Sequence, residues 1–155
     1  WGERAPVDDK TVRAGLYNLS LHNSREDIIR AFLEGIAFNT RWLLQPVKRF
    51  LNQEVQKVHI VGGGAQSDVW CQIFADVMNV TIRQVEEPVY ANARGAAWIG
   101  AVGLGEISYA DVPALVRFKR DYQPEQQNRE IYDRRYQQFL SIYKSMKDIY
   151  RSMNT

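Results

Sequence analysis

Apolar and polar residues follow two rhythms along this chain, and each change of rhythm marks an element. Ser24-Arg25-Glu26-Asp27 opens the first helical stretch, with Ser24 as N-cap and Asp27 as its reciprocal partner three residues on. Ile28, Phe32, Ile36, Leu43, Val47 and Phe50 then recur on one helical stripe, widened by Ile29, Leu33, Leu44 and Leu51, and this stripe is the predicted buried face. Gly35 beside it predicts close approach by another element. Arg30 and Glu34 stand one turn apart and are expected to pair on the surface, where such a pair contributes little. Pro46 falls inside the pattern and is expected to kink the helix or end it near Leu44.

The rhythm then shortens. Val58-His59-Ile60-Val61 reads as a short buried strand, followed by the turn Gly62-Gly63-Gly64. Ser67 or Asp68 caps a helix over residues 68–78, on which Val69, Trp70, Ile73, Phe74 and Val77 recur. Asn79 is the expected stop, and residues 80–85 read as a second strand. A strand–helix–strand unit of this length predicts parallel pairing with a right-handed crossover. Three glycines remove every Cβ from the turn, so the backbone is free to take positive φ and a ligand can reach its N–H groups. Such a turn aimed at a helix N-terminus offers unpaired donors and a positive dipole end, which suits phosphate. A plain structural turn is the alternative.

The flanks are less regular. Residues 1–23 predict a loop and then a short irregular strand or turn through Leu16–His22, with a structural hydrogen-bonding role for His22. Ala91, Ala93, Gly95, Ala96, Ala97, Gly100, Ala101 and Gly103 predict a helix of small residues that needs close packing to offset its glycines. A short helix capped by Asp111 and an extended piece over residues 118–124 follow. Residues 125–152 predict a long helix, and Tyr132, Tyr136, Phe139, Tyr143, Met146, Tyr150 and Met153 form a seam expected to pack on the rest of the domain.

Composition narrows the classes. The 155 residues are 45% hydrophobic and 25% charged, which fits one soluble domain or a large part of one. Twenty basic and 18 acidic residues give a net charge of +2, with no footprint for nucleic acid. No apolar run has the length of a membrane span, no signal peptide is visible, and a cytoplasmic location is expected. Cys71, the single cysteine, excludes an internal disulfide and sits where a packing thiol is expected; no zinc or other metal pattern is present. The opening Trp1-Gly2-Glu3-Arg4-Ala5-Pro6, without Met, is expected to be cut from a longer chain.

Two chemistries compete for the glycine turn. A dinucleotide-binding Rossmann unit wants a third glycine where Ser67 stands, although Glu86 or Glu87 lies suitably after the second strand. A Walker loop is excluded because no Gly-Lys-Ser/Thr follows. By contrast, residues 62–77 resemble the adenine-nucleotide loop of the FGGY carbohydrate kinases. Gly2-Glu3-Arg4-Ala5-Pro6 resembles that family's Gly-Glu-Arg-x-Pro loop, residues 27–38 its helix upstream of the nucleotide strand, and Gly95-Ala96-Ala97 with Gly103-Leu104-Gly105 its Gly-Ala-Ala helix. The flavour is nearest the xylulose-kinase-like pentulose kinases. Asn18, Phe32 and Ala14 depart from the residues usual there, Asn18 and Ala14 standing where glycine is expected.

The resemblance implies an α/β, actin-like (ribonuclease H-like) ATPase fold, here as a partial C-terminal domain over residues 1–155 with a long C-terminal helix. It implies transfer of the ATP γ-phosphoryl group, with Mg²⁺, to a sugar hydroxyl by the full-length protein. It carries over Gly63, Gly64 and Ala65 as backbone facing the nucleotide and Asp68 as a group near the adenine. The catalytic base of the family lies in the N-terminal portion, so no catalytic residue is assigned here, and the fragment alone is expected to be inactive. Expected partners are ATP and a sugar, with self-association into a homodimer allowed. The alternatives are another actin-like phosphotransferase, such as a glycerol-kinase relative, and a non-catalytic interaction module.

Overall fold

The computed structural model describes residues 2–154; Trp1 lies outside them. The chain forms two compact units. One runs to Glu54 and resumes at Gln126, and the other is Val55–Glu125.

The first unit is built on helix α1 (Arg25–Leu51) and helix α5 (Arg129–Asn154). The capping box forms as expected: the Ser24 hydroxyl accepts from the Asp27 amide, and the Asp27 carboxylate accepts from the Ser24 amide at 2.9 Å. Pro46 does not end the helix. Proline removes its own N–H from the ladder and crowds the carbonyl four residues before it, yet α1 continues to Leu51, after which Asn52 takes the left-handed conformation at φ 50°.

The buried face of α1 also corrects the expectation. Glu34, Ala37, Phe38, Arg41 and Leu44 are buried, whereas Phe32 and Ile36 of the apolar stripe are half exposed and Phe50 is 89% exposed. The physical reason is α5. Its aromatic seam meets Phe38, whose ring lies 6.1 Å from Tyr132, 6.3 Å from Tyr136 and 5.7 Å from Phe139. Trp42 adds edge contacts with Phe139 and Tyr143. Gly35 makes no close approach, since a Cβ there would meet nothing within 4 Å.

Residues 2–23 hold loops, turns and an isolated Glu3–Asp9 bridge, so of the strand or turn expected through Leu16–His22 it is the turn that forms. The segment is tied to α5 by Tyr17–Tyr150 and Asp9–Tyr143 side-chain bonds and by the Asn154 amide on the Thr11 carbonyl. Asn18, where the resembling family usually has glycine, sits at φ 60°, a conformation that glycine adopts freely and asparagine tolerates. His22 is exposed.

The second unit holds a three-stranded sheet in the order β1 (Lys57–Ile60), β2 (Thr81–Val85), β3 (Phe118–Tyr122). β1 and β2 pair in parallel, as the strand–helix–strand reading requires, and β3 returns antiparallel to β2. β1 is not the buried strand expected, because its residues alternate between exposed and half-buried. Helix α2 (Asp68–Met78) supplies the core with Cys71, Ile73, Phe74, Ala75, Val77 and Met78, and it stops at left-handed Asn79. Val69 turns outward at 63% exposure. The buried Cys71 thiol donates to the Ala65 carbonyl, and burial raises its pKa, consistent with packing.

Helix α3 (Ala91–Gly103) forms, but none of its residues is buried, so the close packing expected of its glycines is not made among the described residues. At helix α4 (Val112–Leu115) Asp111 holds the N-cap position yet bonds backward to Ser108. Among the described residues no helix is long and apolar enough to cross a membrane.

Candidate functional site

The glycine turn joins β1 to α2, and its geometry follows from three fixed points. Gly62 sits at φ 89°, which only glycine adopts at little cost, and its N–H donates to the Pro88 carbonyl at 2.8 Å. Gly63–Gln66 then make one 3-10 turn, closed by the Ala65 N–H on the Gly62 carbonyl and the Ser67 N–H on the Gly64 carbonyl. Ser67 caps α2 by accepting from the Trp70 amide at 3.2 Å.

The three glycines therefore do different work, which the sequence could not apportion. Only Gly62 needs a positive φ. Gly64 lies under the Trp70 ring, and a Cβ there would fall 2.4 Å from a ring carbon. Gly63 is exposed, and a Cβ there would meet nothing within 4 Å. The amides of Gly63 and Gly64 have no acceptor among the described residues. They belong to the 3-10 turn Gly63–Gln66, which passes through the cap Ser67 into α2.

The four carried-over residues divide accordingly. Gly63 and Gly64 present free amides. Ala65 is fully buried, with its N–H on Gly62 and its carbonyl accepting from Gln84 at 2.6 Å. Asp68 is half exposed and pairs with Lys119 at 3.2 Å. Its carboxyl is held below the usual value of 3.8 by the Tyr122 hydroxyl, then the Lys119 ammonium and the Gln84 amide. An ionised acid is thus placed at the start of α2.

Sequence reasoning missed Gln84, Tyr122 and Lys119, which gather under and beside the turn. The one signal available was a glutamine at an inward position of the strand, in alternation with the apolar Ile82. Asp76 is a buried carboxylate, occupied by the Gln72 amide at 2.8 Å and the Glu125 amide at 2.9 Å. Among the described residues no three His, Cys, Asp or Glu side chains gather as metal ligands.

Comparison with known proteins gives this geometry a context. Residues 1–104 match the C-terminal domain model of the FGGY family of carbohydrate kinases. A xylulose kinase of Bacillus subtilis is 30% identical over 150 residues, covering 96% of this chain and 30% of that protein. The crystal structure of xylulose kinase from Rhodospirillum rubrum is 32% identical and superposes with a TM-score of 0.71, over 86% of this chain and 27% of that one. A ligand-bound xylulose kinase from Lactobacillus acidophilus reaches 0.85 at 22% identity, covering 98% of this chain and 31% of that one, a likeness of fold alone. The α/β, actin-like architecture with its long C-terminal helix is the fold of these neighbours. The chain spans about 30% of the length of the curated relatives it matches.

Proposed function

This chain belongs to the FGGY family of carbohydrate kinases, and we propose that it is the nucleotide-binding part of an ATP-dependent sugar kinase of the cytoplasm. The observation that carries the reading is the open glycine turn: two adjacent amides without acceptors among the described residues, open space where a Gly63 Cβ would stand, and a chain that runs on through Ser67 into α2. That arrangement fits the phosphates of ATP. Gly63 and Gly64 would donate to phosphate oxygens, Ala65 would anchor the turn from below, and the ionised Asp68 would accept from the adenine end of the nucleotide. Mg²⁺ would arrive on the nucleotide's own phosphates, as this cation commonly does.

The reaction proposed for the whole protein is transfer of the γ-phosphoryl group to a sugar hydroxyl, with a pentulose such as xylulose as acceptor. Phosphoryl transfer depends on positioning and on neutralising charge. The role of these residues is to hold and orient the nucleotide; the base that accepts the hydroxyl proton is placed outside them.

The test uses Gly63, not Gly64, because Gly64 substitutions collide with Trp70. Gly63→Glu adds a side chain into open space and a negative charge beside the phosphates. Calorimetric titration with Mg-ATP is expected to show binding to the wild-type chain and none to Gly63→Glu, with thermal stability unchanged. Equal binding by both would place the nucleotide elsewhere, and binding of NAD in preference to ATP would overturn the reading.

A further inference from the structure

Gln84 poses a question that the fold alone does not answer. It is 1% exposed, between the buried apolar residues Ile82 and Val85, at a position where an aliphatic side chain would avoid the cost of burying an amide. Its polar atoms all point to particular partners. Nε2 donates to the Ala65 carbonyl at 2.6 Å and reaches Asp68 Oδ1 at 3.4 Å, while Oε1 accepts from the Tyr122 hydroxyl at 3.1 Å. A line of hydrogen bonds therefore runs from β3 through β2 to the far end of the glycine turn.

The turn is pinned at both ends. Pro88 holds the Gly62 N–H, and Gln84 holds the Ala65 carbonyl. Peptide planes are rigid, so fixing both ends limits how the three planes between them can rotate. The same amide also touches Asp68, the other group that faces the nucleotide in the proposed site. We propose that Gln84, itself oriented by Tyr122, is a positioning residue that sets the glycine turn from beneath and aims the Gly63 and Gly64 amides outward. The consequence for ATP rests on the nucleotide reading above; the effect on the turn does not. Burial, and then the nearby Asp68 carboxylate, push the Tyr122 hydroxyl up to about 12, so it stays protonated as a donor.

The experiment compares wild type, Gln84→Met and Tyr122→Phe by amide hydrogen exchange and by Mg-ATP titration. Gln84→Met keeps the shape and removes all three hydrogen bonds; Tyr122→Phe removes only the outer one and serves if the first variant fails to fold. In Gln84→Met the Ala65 and Ser67 amides are expected to exchange about tenfold faster, and ATP affinity to fall about tenfold, the scale of one lost buried hydrogen bond. Tyr122→Phe should shift both in the same direction by less. The β2 amides of Ile82 and Arg83 should stay within about twofold, because a selective effect on the turn separates positioning from general loosening. Unchanged Ala65 and Ser67 exchange, or equal loosening of β2, would overturn the proposal. Absence of ATP binding by wild type would instead overturn the nucleotide reading, while the exchange pattern still decides what Gln84 does.

Discussion

The two units each bury a polar centre, and the centres are built on opposite principles. In Val55–Glu125 the centre is neutral: Gln84 exchanges hydrogen bonds with a carbonyl and a hydroxyl, and both its ends are satisfied. In the helical unit the centre is ionic. Glu34, 6% exposed, accepts from Arg30 at 2.8 Å, Tyr132 at 2.9 Å and Arg135 at 3.1 Å. Two turns further along α1, Arg41 binds Asp133 at 2.5 Å, and Arg129 shares that carboxylate at 2.6 Å. The surface pair expected of Arg30 and Glu34 is in fact the edge of this cluster. Here the accounts do not fully close, because Nη1 of Arg41 and Nη1 of Arg129 are buried without partners.

The difference matches the tasks. Joining two long helices tolerates a cluster of charges with some slack, since the aromatic seam around Phe38 supplies the packing. Holding a turn in one conformation needs a short, directional and fully satisfied link. An uncharged amide provides it without the desolvation penalty of a buried ion.

The largest expected effect lies in the seam. Phe38→Ala should cost about 3–5 kcal/mol, as for other buried aromatic truncations, measured by urea denaturation. If α2 amides keep their protection while α1 and α5 lose theirs, the units are energetically separate; loss in both would break the comparison.

Glu34→Gln comes next. It keeps the shape but leaves Arg30 and Arg135 without a carboxylate, at a cost of about 1–3 kcal/mol. Nucleotide affinity should be unchanged, the reverse of the Gln84→Met pattern, and a matching loss of affinity would remove the distinction drawn between the centres.

The glycine pair sharpens the comparison inside the turn. Gly64→Ala places a Cβ against Trp70 and should cost about 1–3 kcal/mol through overpacking. Gly63→Ala should instead be neutral or add about 0.4–1 kcal/mol, by reducing the freedom of the unfolded chain. Thermal melting of the two variants measures both.

The smallest effect is alkaline, and the tyrosines raised furthest stand one in each unit. Burial pushes both Tyr122 and Tyr150 from 10 up to about 12, with Asp68 adding to the first and the Tyr17 hydroxyl to the second. A raised acid favours the folded state while it stays protonated there. Its contribution is complete below pH 10 and is lost as the pH rises towards 12. Tyr122→Phe and Tyr150→Phe should each flatten part of that slope in denaturation measured between pH 9 and 12.

Much of this molecule was legible from local chemistry. The Ser24 capping box, the bounds of α2 and the Asn79 stop depend on neighbours a few residues apart, which periodicity and turn residues report directly, and the parallel pairing of β1 with β2 follows from the helical connection between them. The glycine turn was legible in the same way, whereas Gly63, Gly64, Ala65 and Asp68 were singled out through motif resemblance. The exposed stripe of α1 was misread because periodicity identifies an apolar face without saying what covers it. α3 was misread for the same reason.

The sequence by itself determined where the helices and strands lie and that a turn without Cβ atoms meets a helix N-terminus. The tertiary structure alone decided which face of α1 is buried, that Glu34 is a hub, that Gly62, Gly63 and Gly64 have three separate roles, and that Gln84 and Tyr122 stand beneath the turn. The physical reason is distance along the chain. Glu34 meets Tyr132 across 98 residues and Gln84 meets Tyr122 across 38, and no local pattern of side chains encodes a partner so far away.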